Sequence, residues 1–153
     1  MKLKHLVTST AVVVVLGAAL PVAAQFSRPQ QAVKYRKAAM TMMGNHMGRL
    51  SAMVKGSVPY DAATAAANAD LIVTLSKLPY AGFVEGTAGT GKGSAKANIW
   101  TERAKFDEAA RTMQDEVTKL AAAARSGNAD QLKSAFGSTA KACDSCHDSF
   151  QNQ

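Results

Sequence analysis

Apolar residues recur at helical spacing along most of the chain. In the first stretch, from Pro29 to Lys55, they fall in steps of three, four and seven residues, at Val33, Met40, Met43, Met47, Leu50 and Val54. Three later stretches carry similar stripes: from Asp61 to just before Pro79, from Ile99 or Trp100 to Arg125, and from Asn128 to the region of Phe150. No segment alternates with a period of two over a useful length, so the pattern predicts helices and no sheet.

Local signals mark where these helices begin and end. Ser27 is predicted to cap the first helix, which has a proline in its first turn. Asn128 opens a sequence that resembles a capping box at the start of the fourth helix. Five glycines between Pro79 and Asn98 predict a long, loose surface loop. Four long amphipathic helices with mostly short connections are typical of an all-α, antiparallel four-helix bundle.

The first 24 residues have the pattern of a secretory signal peptide. Lys2 and Lys4 precede an apolar run over residues 11–20, and small residues up to Ala24 provide a cleavage site. The apolar run is shorter than the about 20 residues of a membrane-spanning helix, which argues against an anchor. We therefore expect a single domain over residues 25–153, exported to a bacterial periplasm and without membrane contact after cleavage.

Composition and charge narrow the function further. The chain has 153 residues, of which 47% are hydrophobic, enough for one domain with its own core. Cleavage after Ala24 would leave 16 Lys and Arg against 11 Asp and Glu, a net charge of +5. These charges are scattered, with neither a dense run nor interleaved aromatic residues. A solvated surface explains them better than a nucleic-acid-binding surface does.

The residues with the most specific chemistry lie near the end of the fourth helix. Cys143-Asp144-Ser145-Cys146-His147 is a CxxCH motif, the signature of c-type haem attachment. Residues i and i+3 share a helix face, so both thiols can form thioethers with one haem and His147 can reach its iron. A structural disulfide, a thioredoxin-like redox pair and a zinc site are the alternatives. Export, a cysteine count of two and the helical position favour haem.

The whole chain after residue 24 resembles cytochrome c′, the class II c-type cytochromes. Besides the C-terminal CDSCHD sequence over residues 143–148, the matching features are Gln25-Phe26, Ala32-Val33-Lys34-Tyr35-Arg36, Pro59-Tyr60-Asp61-Ala62-Ala63, Phe83 with Gly86-Thr87, Ile99-Trp100 and Ala135-Phe136-Gly137. The resemblance implies one covalently bound haem c per chain inside the bundle, with His147 as its protein ligand.

The resemblance also implies the surroundings of the haem. Met40 takes the distal position above the iron, where diatomic gases bind, although its spacing alone would indicate ordinary core packing. Arg36 takes the position near a haem propionate, with Lys37 beside it, and Tyr80, Phe83, Phe106 and Met113 match the apolar wall of the pocket. Gln151 departs from the family, in which many members have Arg or Lys four residues after the haem histidine.

The implied function is that of a five-coordinate, high-spin haem protein that binds NO and CO, takes part in NO handling and transfers electrons to an unidentified redox partner. The resemblance also implies a homodimer through the first two helices. The alternative is a low-spin electron carrier in which a methionine of the first helix is the sixth ligand. We expect no enzymatic activity beyond weak peroxidase activity, since an efficient peroxidase needs a polar distal acid–base group and Met40 is a thioether.

Overall fold

The computed structural model describes residues 25–153, and all of its regular secondary structure is helical. The predicted signal peptide, residues 1–24, lies outside the described residues. The helices are α1 (Pro29–Val54), α2 (Ala62–Leu75), α3 (Asn98–Thr101), α4 (Arg103–Arg125) and α5 (Ala129–Phe150), with a 3₁₀ turn at Pro79–Gly82. No helix in the described part is both long and apolar enough to cross a membrane. The predicted all-α fold is confirmed.

The four long helices pack as a bundle in which chain neighbours are also neighbours in space. Helix α1 packs mainly against α2, α2 against α4, and α4 against α5. The main core lies where these helices meet, and it contains Leu50, Ala65, Ala69, Ile72, Met113, Val117, Leu120, Ala121, Ala124 and Leu132. A second, smaller core at one end contains Ala95, Ile99, Phe106 and Phe150.

The long helices differ in how they are capped, and of the two predicted caps, Ser27 and Asn128, only Asn128 has the expected geometry. Asp61 accepts a hydrogen bond from the Thr64 amide at 2.7 Å, and this bond lowers the pKa of the Asp61 carboxyl group. The Asn128 side chain accepts from two amides of the first turn of α5, each at 3.0 Å. The prediction for Ser27 is wrong, because α1 begins one residue later than that cap requires. Arg28 is the N-cap residue, and the Ser27 hydroxyl donates to the Gln31 side chain instead.

The predicted loose loop between Pro79 and Asn98 is more ordered than its glycine content suggests. It starts with the 3₁₀ turn and ends at α3, and its later part pairs with the end of the chain through an isolated antiparallel bridge between Ala95 and Gln151. The third predicted helix is not continuous, since Glu102 interrupts it with φ −118° and ψ 38°. Just before the break, the Thr101 hydroxyl donates to the Asn98 carbonyl and competes with the helix backbone.

The burial of the predicted stripes differs from helix to helix. The apolar stripe that the sequence predicts for α4 is buried at every position: Phe106, Ala110, Met113, Val117, Leu120 and Ala124. On α1, Met40 and Met47 are only half-buried, and on α5 the same is true of Phe136, Cys143, Cys146 and His147. These half-buried side chains line one cavity. The stripes of α1 and α5 therefore face an open space, whereas the stripe of α4 is buried throughout and lines that space only with Phe106, Met113 and Val117.

Candidate functional site

The bundle forms a cavity of about 620 Å³, partly open to solvent, between α1, α4, α5 and the segment that follows α2. Voids in close-packed protein interiors are few and rarely larger than a water molecule. This volume instead falls within the about 300–1,000 Å³ of small-molecule and cofactor sites. A bundle of this size with such a cavity is built around an occupant.

The CxxCH motif forms part of the cavity wall on the last two turns of α5. Cys143, Cys146 and His147 all line the cavity, as the helical spacing predicts. Both cysteines are unbridged, and burial raises the pKa of each thiol, with the nearby Asp144 charge raising that of Cys143 further. Reactive redox cysteines have lowered pKa values, so these thiols have the opposite electrostatics.

The α1 side of the cavity contributes a row of residues one helical turn apart. Arg36, Lys37 and Met40 line it, and so do Met43 and Met47. Methionine is unbranched and fills irregular space, so three thioethers on one face suit a wall against a large flat group. His46 also lies on α1, but it is half-buried outside this wall.

The half-burial of His46 results from its contact with the neighbouring helix α2. Its Nδ1 atom is 2.8 Å from the Asn68 side-chain oxygen, and the Asn68 amide donates to the Thr64 carbonyl. His46 thus connects α1 to α2, away from the cavity. Among the described residues, no group of three or more His, Cys, Asp or Glu side chains is placed to hold a metal ion.

One end of the cavity is closed by aromatic rings. Phe106 is at the centre, with ring centroids 5.8 Å from Tyr80, 4.8 Å from Phe83 and 5.4 Å from Phe150. Edge-on and tilted contacts at these distances stabilise aromatic clusters. Burial, together with the two nearby cysteines, raises the pKa of the Tyr80 hydroxyl. Tyr80 therefore stays a neutral phenol beside the motif.

Arg36 is the buried cation of the site, only 4% exposed. Its Nη1 donates to the Gly82 carbonyl at 3.0 Å and to the Thr87 hydroxyl at 2.6 Å, and its Nη2 donates to the Thr87 carbonyl at 2.6 Å. The guanidinium carbon lies 4.7 Å from the centroid of the Phe83 ring. Gly82 lets the 3₁₀ turn pack closely against α1, since a Cβ at this position would lie 2.6 Å from the Ala32 carbonyl oxygen.

The charge of Arg36 has no acidic side chain beside it. None of the ion pairs within residues 25–153 includes Arg36, and burial lowers the pKa of its guanidinium group without discharging it. A guanidinium has five N–H donors, and the protein hydrogen bonds account for three. Buried charges are normally paired, so the site has capacity for an anionic group of the occupant.

Comparison with known proteins agrees with this geometry. The family model described as cytochrome C' matches residues 31–151. The chain belongs to the cytochrome c′ family. It is 44% identical to cytochrome c′ of Alcaligenes xylosoxydans xylosoxydans over 129 residues, which cover 84% of this chain and 99% of that protein. It is 43% identical to cytochrome c′ of Rubrivivax gelatinosus, with 84% and 100% covered.

Solved cytochrome c′ structures superpose on the described bundle. The crystal structure from Rubrivivax gelatinosus has a TM-score of 0.77 at 44% identity and covers 84% of this chain and all of that chain. A nitric oxide complex of a cytochrome c prime mutant from Alcaligenes xylosoxidans has a TM-score of 0.78 at 44% identity, with 84% and 98% covered. Cytochromes c′ are haem-binding proteins, and the cavity, the two thiols and the unpaired Arg36 fit that cofactor.

The structure brings together all ten residues that the sequence singled out. They are Arg36, Lys37, Met40, Tyr80, Phe83, Phe106, Met113, Cys143, Cys146 and His147, and each lines the cavity. The helical spacing places Phe136 and Thr139 on the same face of α5 as Cys143, two turns and one turn before it, but the sequence analysis did not assign them to the site, and both line the cavity. The sequence analysis also missed Lys92, Gly93 and Ala95, which reach the cavity from a segment whose sequence has no periodicity.

Proposed function

We propose that this protein is a periplasmic c-type haem protein that binds NO and CO at a buried face and can transfer electrons. The observation that carries the proposal is the CxxCH motif, which lines a cofactor-sized cavity in a member of the cytochrome c′ family. One haem per chain would be held by thioether bonds to Cys143 and Cys146 and by the imidazole of His147. A bound haem supplies an iron that takes diatomic ligands and exchanges one electron.

The remaining wall residues position and shield this group. Arg36 has unused N–H donors for a carboxylate, and charge-assisted hydrogen bonds of this type are the stronger ones. Lys37 supplies a second cation beside it. The apolar side chains of Phe83, Phe106 and Met113 exclude water from the cavity. A neutral diatomic molecule can bind in such a dry site.

Met40 is the side chain that we assign to the gas-binding face. A thioether donates no hydrogen bond, so it offers no polar stabilisation to bound O₂ and no acid–base group for peroxide cleavage. An entering diatomic molecule must displace it, at a cost on the order of 1 kcal/mol of rotamer strain. NO, which binds ferrous haem strongly, tolerates that cost better than CO. The selectivity would thus come from steric access and from the absence of polar groups.

The second candidate function is a low-spin electron carrier, and one observation favours it. Met40, Met43 and Met47 all line the cavity from α1, so a sulfur ligand for a sixth coordination position is available. Either function uses the same thioether bonds and the same His147. They differ only in whether a methionine bonds to the iron.

Substitution of Met40 separates the two functions, and Met42 supplies a matched control. Met42 lies on α1 but is 44% exposed and outside the cavity lining. We expect a high-spin wild type, a CO affinity about fivefold higher in Met40→Ala, and no change in Met42→Ala. A low-spin wild type that becomes high-spin in Met40→Ala would establish the electron carrier. If Met40→Ala alters neither spectrum nor CO affinity, the assignment of Met40 is wrong.

A homodimer through α1 and α2 is part of the proposal. Four large hydrophobic side chains are exposed in the described part of the chain: Tyr35, Met42, Val58 and Leu71, between 37% and 49% accessible. All four lie on α1, on α2 or on the turn between them. A second copy of the chain would cover this apolar surface, and a stable dimer buries about 800 Å² per partner.

A further inference from the structure

The C-terminal turn of α5, which carries His147, is held by a distant segment of the chain. The last carbonyl groups of a helix have no partner within the helix and need other donors. Lys96 donates from its backbone amide to the Phe150 carbonyl at 2.9 Å and from its ammonium group to the Asp148 carbonyl at 2.7 Å. Asn98 donates to the Ser149 carbonyl at 3.2 Å. The segment at residues 89–98 therefore completes the end of α5.

Asn152 fastens this segment to the chain terminus. Its side-chain amide donates to the Gly89 carbonyl at 2.7 Å and to the Ser94 hydroxyl at 2.9 Å. Its backbone amide donates to the Ser94 carbonyl at 2.9 Å, and its carbonyl accepts from the Gly93 amide at 2.7 Å. Asn152 thus makes four hydrogen bonds to three residues of the segment. Gly89 allows the segment to fold tightly, because a Cβ there would lie 2.8 Å from that of Ser94.

These contacts lie next to the cavity. Gly93 and Ala95 line it from the segment, and Gln151 lines it from the terminus, beside His147. His147 lies on the last turn of α5. Helix ends open locally at low free-energy cost unless they are held. An unsupported final turn would therefore leave the imidazole of His147 poorly oriented.

We propose that Asn152 is a positioning residue for His147. It clamps residues 89–98 onto the end of α5, and the clamped segment holds the turn from which His147 reaches into the cavity. This inference rests on the proposed role of His147 as the iron ligand, and it adds the element that keeps this ligand in a single orientation.

The test compares two asparagines at opposite ends of α5 in the haem-loaded protein. Asn152→Ala removes two side-chain hydrogen bonds at the C-terminal end, and Asn128→Ala removes two at the N-terminal end. Native-state hydrogen exchange of the Gly93 and Lys96 amides should become about tenfold faster in Asn152→Ala. In Asn128→Ala it should stay as in the wild type.

A second measurement reports on His147 itself. In the resonance Raman spectrum of the ferrous protein, the iron–histidine stretching band should shift and broaden in Asn152→Ala and remain unchanged in Asn128→Ala. If the two variants leave the band equally unchanged, or move it equally, the positioning role is refuted. A wild type without an iron–histidine band would instead contradict the proposed five-coordinate iron with His147 as its one protein ligand, and the exchange rates would still test the clamp.

A milder substitution covers the case in which Asn152→Ala does not retain haem. Ser94→Ala removes one of the two acceptors of the Asn152 side chain and leaves the backbone bonds intact. It should change the exchange rates and the Raman band in the same direction as Asn152→Ala, to a smaller extent. An unchanged band together with faster exchange in Ser94→Ala would show that the clamp is structural only and would overturn the inference.

Discussion

Replacing Cys143 and Cys146 by alanine removes both proposed covalent attachment points of the haem. We expect the resulting chain, produced without haem, to lose its fixed tertiary structure. The reason is that the cavity between α1, α4 and α5 would lose the group that fills it, while its walls are too far apart to meet without repacking the bundle.

The magnitude follows from the cavity volume. Buried cavities cost about 24 cal/mol per Å³. For a cavity of about 620 Å³, this scaling gives at most about 15 kcal/mol, because the cavity is partly open to solvent and water can enter it. Domains of this size have a total free energy of unfolding of about 5–15 kcal/mol. Even a third of the scaled value, about 5 kcal/mol, would equal the lower end of that range, so the haem-free chain has no margin to keep the cavity open.

Three measurements test this expectation. Near-ultraviolet circular dichroism should lose its fine structure, the dye ANS should bind, and thermal unfolding should be broad, as in loosely packed states. Ser145→Ala is the matched control, because Ser145 is exposed between the two cysteines and its substitution leaves both attachment points. A haem-free variant that unfolds cooperatively at the melting temperature of the haem-loaded protein, with native near-ultraviolet dichroism, would refute the reasoning.

Further predictions concern the surroundings of the site and the surface. Arg36→Met should lower the free energy of unfolding by about 3 kcal/mol, because the buried carbonyl groups of Gly82 and Thr87 lose their donor. Arg36→Lys should recover only part of this stability. An unchanged denaturation midpoint in Arg36→Met would contradict the stabilising role of these hydrogen bonds. Leu71→Glu on α2 should give a monomer in light scattering and the control Ala122→Glu on α4 a dimer; a monomeric wild type would disprove the interface. Asp61→Ala should lower the melting temperature at neutral pH. Since the folded-state pKa of Asp61 is lowered, this difference should shrink as the pH falls through that pKa, and a difference independent of pH would exclude the cap as its cause.

Helices and the attachment motif could be predicted from the sequence because local rules determine them. The apolar residues of α4 recur at helical spacing that can be counted directly from the sequence, and every predicted core position on this helix is buried. Cys143, Cys146 and His147 lie within five residues, so one helical turn brings them to one wall without any tertiary information.

The segment between Pro79 and Asn98 could not be predicted in the same way, because distant partners determine its structure. Arg36 bonds to Thr87, 51 residues away, and Asn152 bonds to Gly89, 63 residues away. Glycine-rich sequence indicated a loop but could not indicate what the loop contacts. The cap of α1 illustrates a smaller limit: a shift of one residue in the helix start moves the N-cap from Ser27 to Arg28.

The methionines of α1 are a sequence feature of the cavity, but their helical spacing alone does not show that they line one. Met40 and Met47 have the spacing of core residues, yet they remain half-buried because they face a space that the polypeptide does not fill. A stripe of methionines describes a core wall and a cofactor wall equally well. Only the CxxCH motif on the opposing wall, formed by α5, distinguishes a cofactor wall from a core wall here.

The most direct test of the account is the absorption spectrum of the purified ferrous protein before and after addition of NO. We expect a covalently bound haem with the spectrum of five-coordinate, high-spin iron, which changes on NO addition. A low-spin, six-coordinate spectrum that NO leaves unchanged would contradict this expectation, and so would a purified chain without haem.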